Sequence, residues 1–239
     1  MRTETVTYEA DGLRFKSELF VEAGTEPKPG VLVFPEAFGL SDHARHRAEG
    51  LAKLGYAALA CDIHGEGRLV TDLGEAMSLL KPLYADTKRM RARGLAALKV
   101  LKAREEVVRD RTASIGFCFG GTMSLELARS GSDLCAVVGF HSGLSTTAPK
   151  SDAKAYRGRV LVCIGADDPF ISPEERKTFE AEMREAGVDW QMHLYGGTVH
   201  SFTNPQAAER NNPAMRYSKA ADKESWAAMQ ELFSAALMT

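Results

Sequence analysis

Short apolar or β-branched runs alternate with longer segments of helical period along most of this 239-residue chain. Six of the short runs predict buried parallel strands, at residues 31–34, 56–60, 113–116, 136–140, 160–164 and 191–195. The longer segments predict helices, among them 41–54, the region 73–106 interrupted near Pro82, and 219–237. This alternation is typical of an α/β fold with a mostly parallel central sheet and helices on both faces.

The N-terminal segment has a different pattern from the rest of the chain. An Asp11-Gly12 dipeptide joins two segments of alternating residues, 5–8 and 13–21, which predicts an antiparallel hairpin. No internal repeat and no linker rich in Pro, Gly or Ser interrupts the chain. We therefore expect a single domain over residues 1–239.

The charge balance argues against polyanionic partners. Thirty Lys and Arg residues face 32 Asp and Glu residues, for a formal net charge of −2, and no basic run is long enough for nucleic acid or an anionic membrane. The first residues lack the apolar stretch of a signal peptide, and no apolar run could span a bilayer, which predicts a cytoplasmic protein. The sequence does not specify an oligomeric state.

Cysteine and histidine spacing gives no sign of a metal or cofactor site. Cys61, Cys135 and Cys163 lie inside or at the ends of apolar runs, so we expect reduced thiols that pack as small hydrophobic side chains. His43 and His46 share one helix face, but no third ligand with metal-site spacing accompanies them, which favours a solvated face. We expect neither a metal nor a cofactor.

Cys118 stands in the segment Gly-Phe-Cys-Phe-Gly-Gly, between an apolar strand and a helix. Strand, sharp turn and helix are the context of a nucleophile elbow, here with a thiol in place of the usual serine hydroxyl. So sharp a turn leaves no room for a Cβ at Gly116 or Gly120, and a helix N-terminus favours a thiolate. The alternatives are a tight turn with an incidental cysteine and a nucleotide-binding glycine loop, although no GxGxxG pattern is present.

The other members of a hydrolytic triad follow in the order nucleophile, acid, histidine. Asp167 and Asp168 come after the strand at 160–164, and His200 comes after the strand at 191–195. We prefer Asp168, with a capping or turn role as the alternative for either aspartate. Glu36 follows the strand at 31–34, and its position fits a functional carboxylate and a solvated loop residue equally well.

Together these segments resemble the dienelactone hydrolase (carboxymethylenebutenolidase) family of α/β-hydrolases. The matching motifs are an E-x-F-G loop, a GxCxGG elbow, a G-x-x-D-x-x-I loop and an H-S-F segment, at 36–39, 116–121, 165–171 and 200–202. The resemblance implies an α/β-hydrolase that opens a small-molecule lactone or ester through an acyl-enzyme intermediate.

The resemblance also implies roles for particular residues. Cys118 would attack the carbonyl carbon, His200 would act as base, and Asp168, selected over Asp167 by the motif spacing, would orient the histidine. The backbone N–H groups of Ala37 and Phe119 match the oxyanion hole. Glu36 matches the family's glutamate that interacts with the resting thiol.

One position departs from the family pattern and bears on the substrate. Family members that act on dienelactone hold its carboxylate with arginines, one of them four residues after the histidine, where this chain has Asn204. A further interpretation is a redox-sensing thiol protein or a ligand-binding protein on a hydrolase fold. The intact Asp168 and His200 argue against both, because sensing and binding need no ordered triad. We expect His64 and His141, which also follow strands, to form pocket walls.

Overall fold

The computed structural model describes residues 1–24, 26–148, 152 and 155–237. Its strands are β1 (Arg2–Ala10), β2 (Leu13–Val21), β3 (Lys28–Phe34), β4 (Ala57–Ala60), β5 (Val107–Phe117), β6 (Ala136–Phe140), β7 (Arg159–Gly165) and β8 (Trp190–Tyr195). Its α-helices are α1 (Asp42–Lys53), α2 (Leu73–Ala85), α3 (Thr87–Lys102), α4 (Phe119–Arg129), α5 (Pro173–Ala186) and α6 (Lys219–Leu237).

All eight strands join one sheet in the order β1-β2-β4-β3-β5-β6-β7-β8. The β1–β2 pair is an antiparallel hairpin, and its turn places Asp11 at φ 50° and Gly12 at φ 71°. Strand β2 is also antiparallel to β4, whereas every later pair is parallel. The structure therefore confirms a mostly parallel sheet that begins with an antiparallel hairpin.

Alternate residues of the strands pack into two hydrophobic clusters on opposite faces of the sheet. In β3, Leu32 and Phe34 join a cluster that includes residues of α2, α3, α4 and α5. Val31 and Val33 join the other cluster, which includes residues of α1 and α6. Helices therefore cover both faces, as the apolar runs predicted.

The long helical region differs in detail from the sequence-based prediction. Helix α2 continues past Pro82 to Ala85, and the break falls at Asp86, whose carboxylate accepts the Lys88 N–H and caps α3. Pro82 is exposed and lies near the C-terminal end of α2, where a missing backbone N–H disturbs few hydrogen bonds. Among the described residues, no helix is long and apolar enough to cross a membrane.

The register of the parallel strands brings their carboxyl ends to one edge of the sheet. Phe34 lies opposite Gly116, Phe117 opposite Phe140, and Gly165 opposite Tyr195. The loops that follow β3, β5, β6, β7 and β8 consequently leave the sheet at this edge. Ligands of open α/β sheets bind there, and the predicted site residues all lie in these loops.

Candidate active site

Cys118 occupies a strained turn between β5 and α4. Its backbone has φ 53° and ψ −120°, a combination that side-chain-bearing residues rarely adopt outside functional sites. The Cys118 N–H is held by the Phe140 carbonyl oxygen at 2.9 Å and by His141 Nδ1 at 3.1 Å. The thiol stands at the N-terminus of α4 and is half-buried.

The glycines around Cys118 are required by contacts between backbones. A Cβ at Gly116 would overlap the Gly120 carbonyl, and a Cβ at Gly120 would overlap the carbonyl oxygens of Phe34 and Pro35. The latter contact also shows that the loop after β3 runs directly against the elbow. The steric reason for these glycines, predicted from the sequence, is confirmed.

Asp168 and His200 form a buried hydrogen-bonded pair. The distance from His200 Nδ1 to Asp168 Oδ2 is 2.7 Å, and the same imidazole interacts with the side chain of Cys118. Burial disfavours the imidazolium, but the negative charge of Cys118 and the hydrogen bonds to Asp168 and Cys118 outweigh it and raise the pKa of His200. The three predicted triad side chains thus lie together in one chain of contacts.

Glu36 is buried beside this group, and three side chains hold its carboxylate. Ser201 Oγ donates to Oε1 at 2.8 Å, while Asn204 Nδ2 and Arg210 donate to Oε2 at 2.6 and 2.8 Å. Glu36 is therefore a ligated buried carboxylate, and the prediction of a solvated loop residue does not apply. Asn204, which replaces the family's arginine, binds Glu36 with its amide.

Opposing effects set the charge of Glu36. Burial would raise the pKa of the carboxyl group, but positive charge at His43 and Arg210 and the Ser201 hydrogen bond lower the pKa to about 2. Burial lowers the pKa of His43 to about 4, so Arg210 is the cation that remains near neutral pH. Glu36 and Arg210 accordingly form an ion pair near the elbow, in which the carboxylate is buried and the guanidinium is partly exposed.

Two backbone amides lie where an oxyanion hole is expected. Phe119 is the first residue of α4, and N–H groups in a first helical turn have no acceptor within the helix. Ala37 is buried in the turn after β3, and in the described part of the chain its N–H has no backbone acceptor. The loop that carries Ala37 runs against the start of the helix that carries Phe119.

Several side chains near the site were not predicted from the sequence. Arg210 lies in a short 3-10 helix, Ala207–Arg210, with its guanidinium 4.0 Å from the Phe38 ring centroid. Tyr84 packs edge-on against Phe119 with ring centroids 5.2 Å apart. Tyr84 is 39% exposed, but partial burial of its phenol and negative charge at Cys118 both raise its pKa. Tyr84 is the next-to-last residue of α2, where nothing in the sequence marks it.

His141 and His43 differ from their predicted settings. His141 is fully buried against the His200 ring, at 5.0 Å between centroids, and contacts Thr203 Oγ1 through Nε2 at 2.9 Å. Burial lowers the pKa of His141 well below the usual value, so the ring is neutral. Its Nδ1 accepts the Cys118 N–H. The prediction of a solvated face is wrong for His43, because its ring packs on Phe117.

Metal-ligand geometry is absent from the described residues, where no three His, Cys, Asp or Glu side chains are grouped so that they could hold an ion. The described site contains side-chain and backbone groups suited to acyl transfer: a thiol, a buried imidazole–carboxylate pair and amides at a helix N-terminus.

The chain is similar over most of its length to proteins described as dienelactone hydrolase-like or as lactonases. The protein known as m3DLH has 46% sequence identity, a TM-score of 0.96, and 99% and 98% coverage of this chain and of that chain. The metagenomic "Dienelactone Hydrolase-like Promiscuous Phospotriesterase P91" has 43% identity, a TM-score of 0.94 and 98% coverage of both chains. The Bradyrhizobium "Probable 2-oxo-3-(5-oxofuran-2-ylidene)propanoate lactonase" is 27% identical over 183 residues, which is 73% of each chain.

The family model described as "Dienelactone hydrolase family" matches residues 15–237. That match spans the sheet from β2 onward, all the helices named above and every predicted site residue. The fold, the relatives and the family match agree with the resemblance seen in the motifs. The chain belongs to the dienelactone hydrolase family, whose members are hydrolases of lactone and ester bonds.

Proposed function

We propose that this protein hydrolyses small-molecule lactones or carboxylic esters through a covalent thioester formed on Cys118. The observation that carries the proposal is the position of His200, whose imidazole is hydrogen-bonded to Asp168 and interacts with the side chain of Cys118. A thiol, a base and an orienting carboxylate in contact form the arrangement needed for nucleophilic catalysis.

The proposed reaction has two acyl-transfer steps. The Cys118 thiolate, its proton held on His200, attacks the carbonyl carbon, and the resulting oxyanion receives hydrogen bonds from the Ala37 and Phe119 amides. Collapse of this intermediate breaks the ester C–O bond, and His200 returns the proton to the leaving oxygen. In a lactone the leaving alcohol stays attached to the acyl chain. His200 then deprotonates a water molecule that cleaves the thioester.

Glu36 is proposed to control the thiol. Its carboxylate lies beside the elbow, where it can offset the positive potential of Arg210 and α4 that would otherwise favour a thiolate. Movement of the carboxylate from Arg210 toward Cys118 when substrate is bound would let it accept the thiol proton and pass it to His200, which later gives it to the leaving oxygen. The three hydrogen bonds to the carboxylate define the resting arrangement from which that movement starts.

Replacement of Cys118 by alanine tests the proposed nucleophile. With p-nitrophenyl acetate, Cys118→Ala should lose at least about a thousandfold in kcat/KM while its melting temperature stays near the wild-type value. Cys135→Ala, which alters a half-buried thiol away from the site, is the matched control and should keep full turnover. Turnover retained by Cys118→Ala would refute the nucleophile. An inactive wild-type protein on a panel of esters and lactones would favour the redox-sensing or ligand-binding alternative.

The P91 relative supports a second candidate activity. Because that protein, at 43% identity, is described as a promiscuous phosphotriesterase, we propose that Cys118 can also attack a phosphotriester. The same amides would then stabilise charge on the phosphoryl oxygen. Release of p-nitrophenol from diethyl p-nitrophenyl phosphate should be measurable in the wild type and absent in Cys118→Ala. Equal rates in the two proteins would refute this activity.

A further inference from the structure

His64 lies in the loop after β4, yet it contacts the turn that carries the proposed oxyanion-hole amide. Its Nε2 is 2.8 Å from the Ala37 carbonyl oxygen, and the imidazole is buried at 8% exposure. A carbonyl oxygen only accepts hydrogen bonds, so Nε2 carries the proton and donates. In the part of the chain that the structure describes, Nδ1 has no hydrogen-bond partner, which agrees with this tautomer.

The turn that contains Ala37 is held by three hydrogen bonds. The Gly39 N–H donates to the Glu36 carbonyl at 3.2 Å, which makes residues 36–39 a β-turn with Ala37 and Phe38 at its centre. The Val70 N–H donates to the Phe38 carbonyl at 3.0 Å. His64 binds the carbonyl of the central peptide, between Ala37 and Phe38, and rotation of that peptide converts one turn type into another.

The loop that presents His64 is rigid. The Asp62 carboxylate accepts backbone N–H groups from Lys16 at 3.0 Å, His64 at 3.0 Å, Gly65 at 2.9 Å and Gly67 at 2.7 Å. Four donors to one buried carboxylate fix the backbone on both sides of His64 and tie it to β2. The imidazole also packs against the turn, since a Cβ on Gly39 would lie 3.2 Å from His64 Cδ2.

We propose that His64 is a positioning residue for the oxyanion hole: by holding the central peptide of the 36–39 turn, it keeps the Ala37 carbonyl oxygen turned away from the acyl oxygen that the Ala37 N–H would bind. This role rests on the proposed acyl-transfer function. Without the His64 donor, the central peptide can rotate, and an Ala37 carbonyl turned toward the site would repel the oxyanion. His64 acts through Ala37 and touches no reacting atom.

Paired substitutions separate this role from a general loss of structure. His64→Phe keeps an aromatic ring but removes the donor, so kcat for p-nitrophenyl acetate should fall at least tenfold with KM within about threefold. His64→Gln supplies an amide N–H and should recover at least a third of the wild-type kcat. His46→Phe, on the exposed side of α1, is the control and should match the wild type.

Alkylation of Cys118 by iodoacetamide distinguishes this role from a general structural one. A general disturbance of the site would change the alkylation rate as well as the turnover. That reaction needs the thiolate but forms no oxyanion, so its rate in His64→Phe should stay within about twofold of the wild type. The proposal is overturned if His64→Phe keeps its turnover, if alkylation and turnover fall together, or if His64→Gln is as slow as His64→Phe. Failure of the thioester mechanism would appear separately, as turnover in Cys118→Ala.

Discussion

At the scale of single residues, the proposed role of the buried Glu36 carboxylate is to set the charge around the Cys118 thiol. Replacement by glutamine leaves Arg210 without its ionic partner near the helix N-terminus that carries Cys118. We expect Glu36→Gln to alkylate faster at Cys118 near neutral pH while its ester kcat falls. Opposite changes in the two rates would support thiol control. Wild-type values for both rates would show that Glu36 only holds the loops together through its hydrogen bonds.

Glu36 should also contribute to the pH dependence of the unfolding free energy in acid. Because the pKa of Glu36 falls from 4.5 to about 2 on folding, its contribution is complete above pH 4.5 and is lost as the pH falls toward 2. The full contribution is about 3 kcal/mol, of which about 1 kcal/mol is lost by pH 3.5. Urea unfolding of wild type and Glu36→Gln between pH 6 and 3.5 tests this. The free-energy difference between the two should shrink on acidification; parallel profiles would contradict the assigned shift.

At the scale of structural elements, the strand–turn–helix elbow allows no side chain at its glycines. Gly120→Ala would press a methyl group into the backbone of the β3 loop, and we expect a loss of about 3 kcal/mol or more in unfolding free energy. Gly196→Ala is the matched control, since an added Cβ there meets no atom within 4 Å. Urea denaturation of both variants should separate them, and similar midpoints would show that the elbow can relax.

The same elements show what sequence reasoning could and could not predict. Periodicity and turn residues were sufficient for the sheet, the hairpin and α6, because these elements repeat a local pattern. The motif loops predicted the positions of Cys118, Asp168 and His200, because each of these residues lies within a short contiguous motif. Arg210 and the role of His64 were missed because each depends on a contact with a loop far away in the sequence. Cys135, predicted to be buried, is half-buried, since its strand begins only at Ala136.

At the scale of the whole molecule, the arginines around the site bear on the preferred charge of the substrate. Arg68 binds Glu75, Arg89 binds Asp11, and Arg210 binds Glu36. With Asn204 in place of an arginine, a substrate carboxylate would have to compete with Glu36 for Arg210. We expect neutral lactones and short esters to equal or exceed carboxylated dienelactones in kcat/KM. Loss of a bidentate arginine partner for the substrate carboxylate shifts this preference by about tenfold. A strong preference for the carboxylated substrate would show that Arg210 is released from Glu36.

The ion pair between Glu36 and Arg210 joins loops 174 positions apart in the chain. Closing so long a segment carries a large entropic penalty, and such contacts form after local ones. We therefore expect the site to be completed late in folding, because a chain whose last loops have not yet docked lacks His200, the proposed base. Turnover during refolding should return no earlier than the slowest tertiary signal. Partly folded chains would then contain the Cys118 thiol but would not hydrolyse esters.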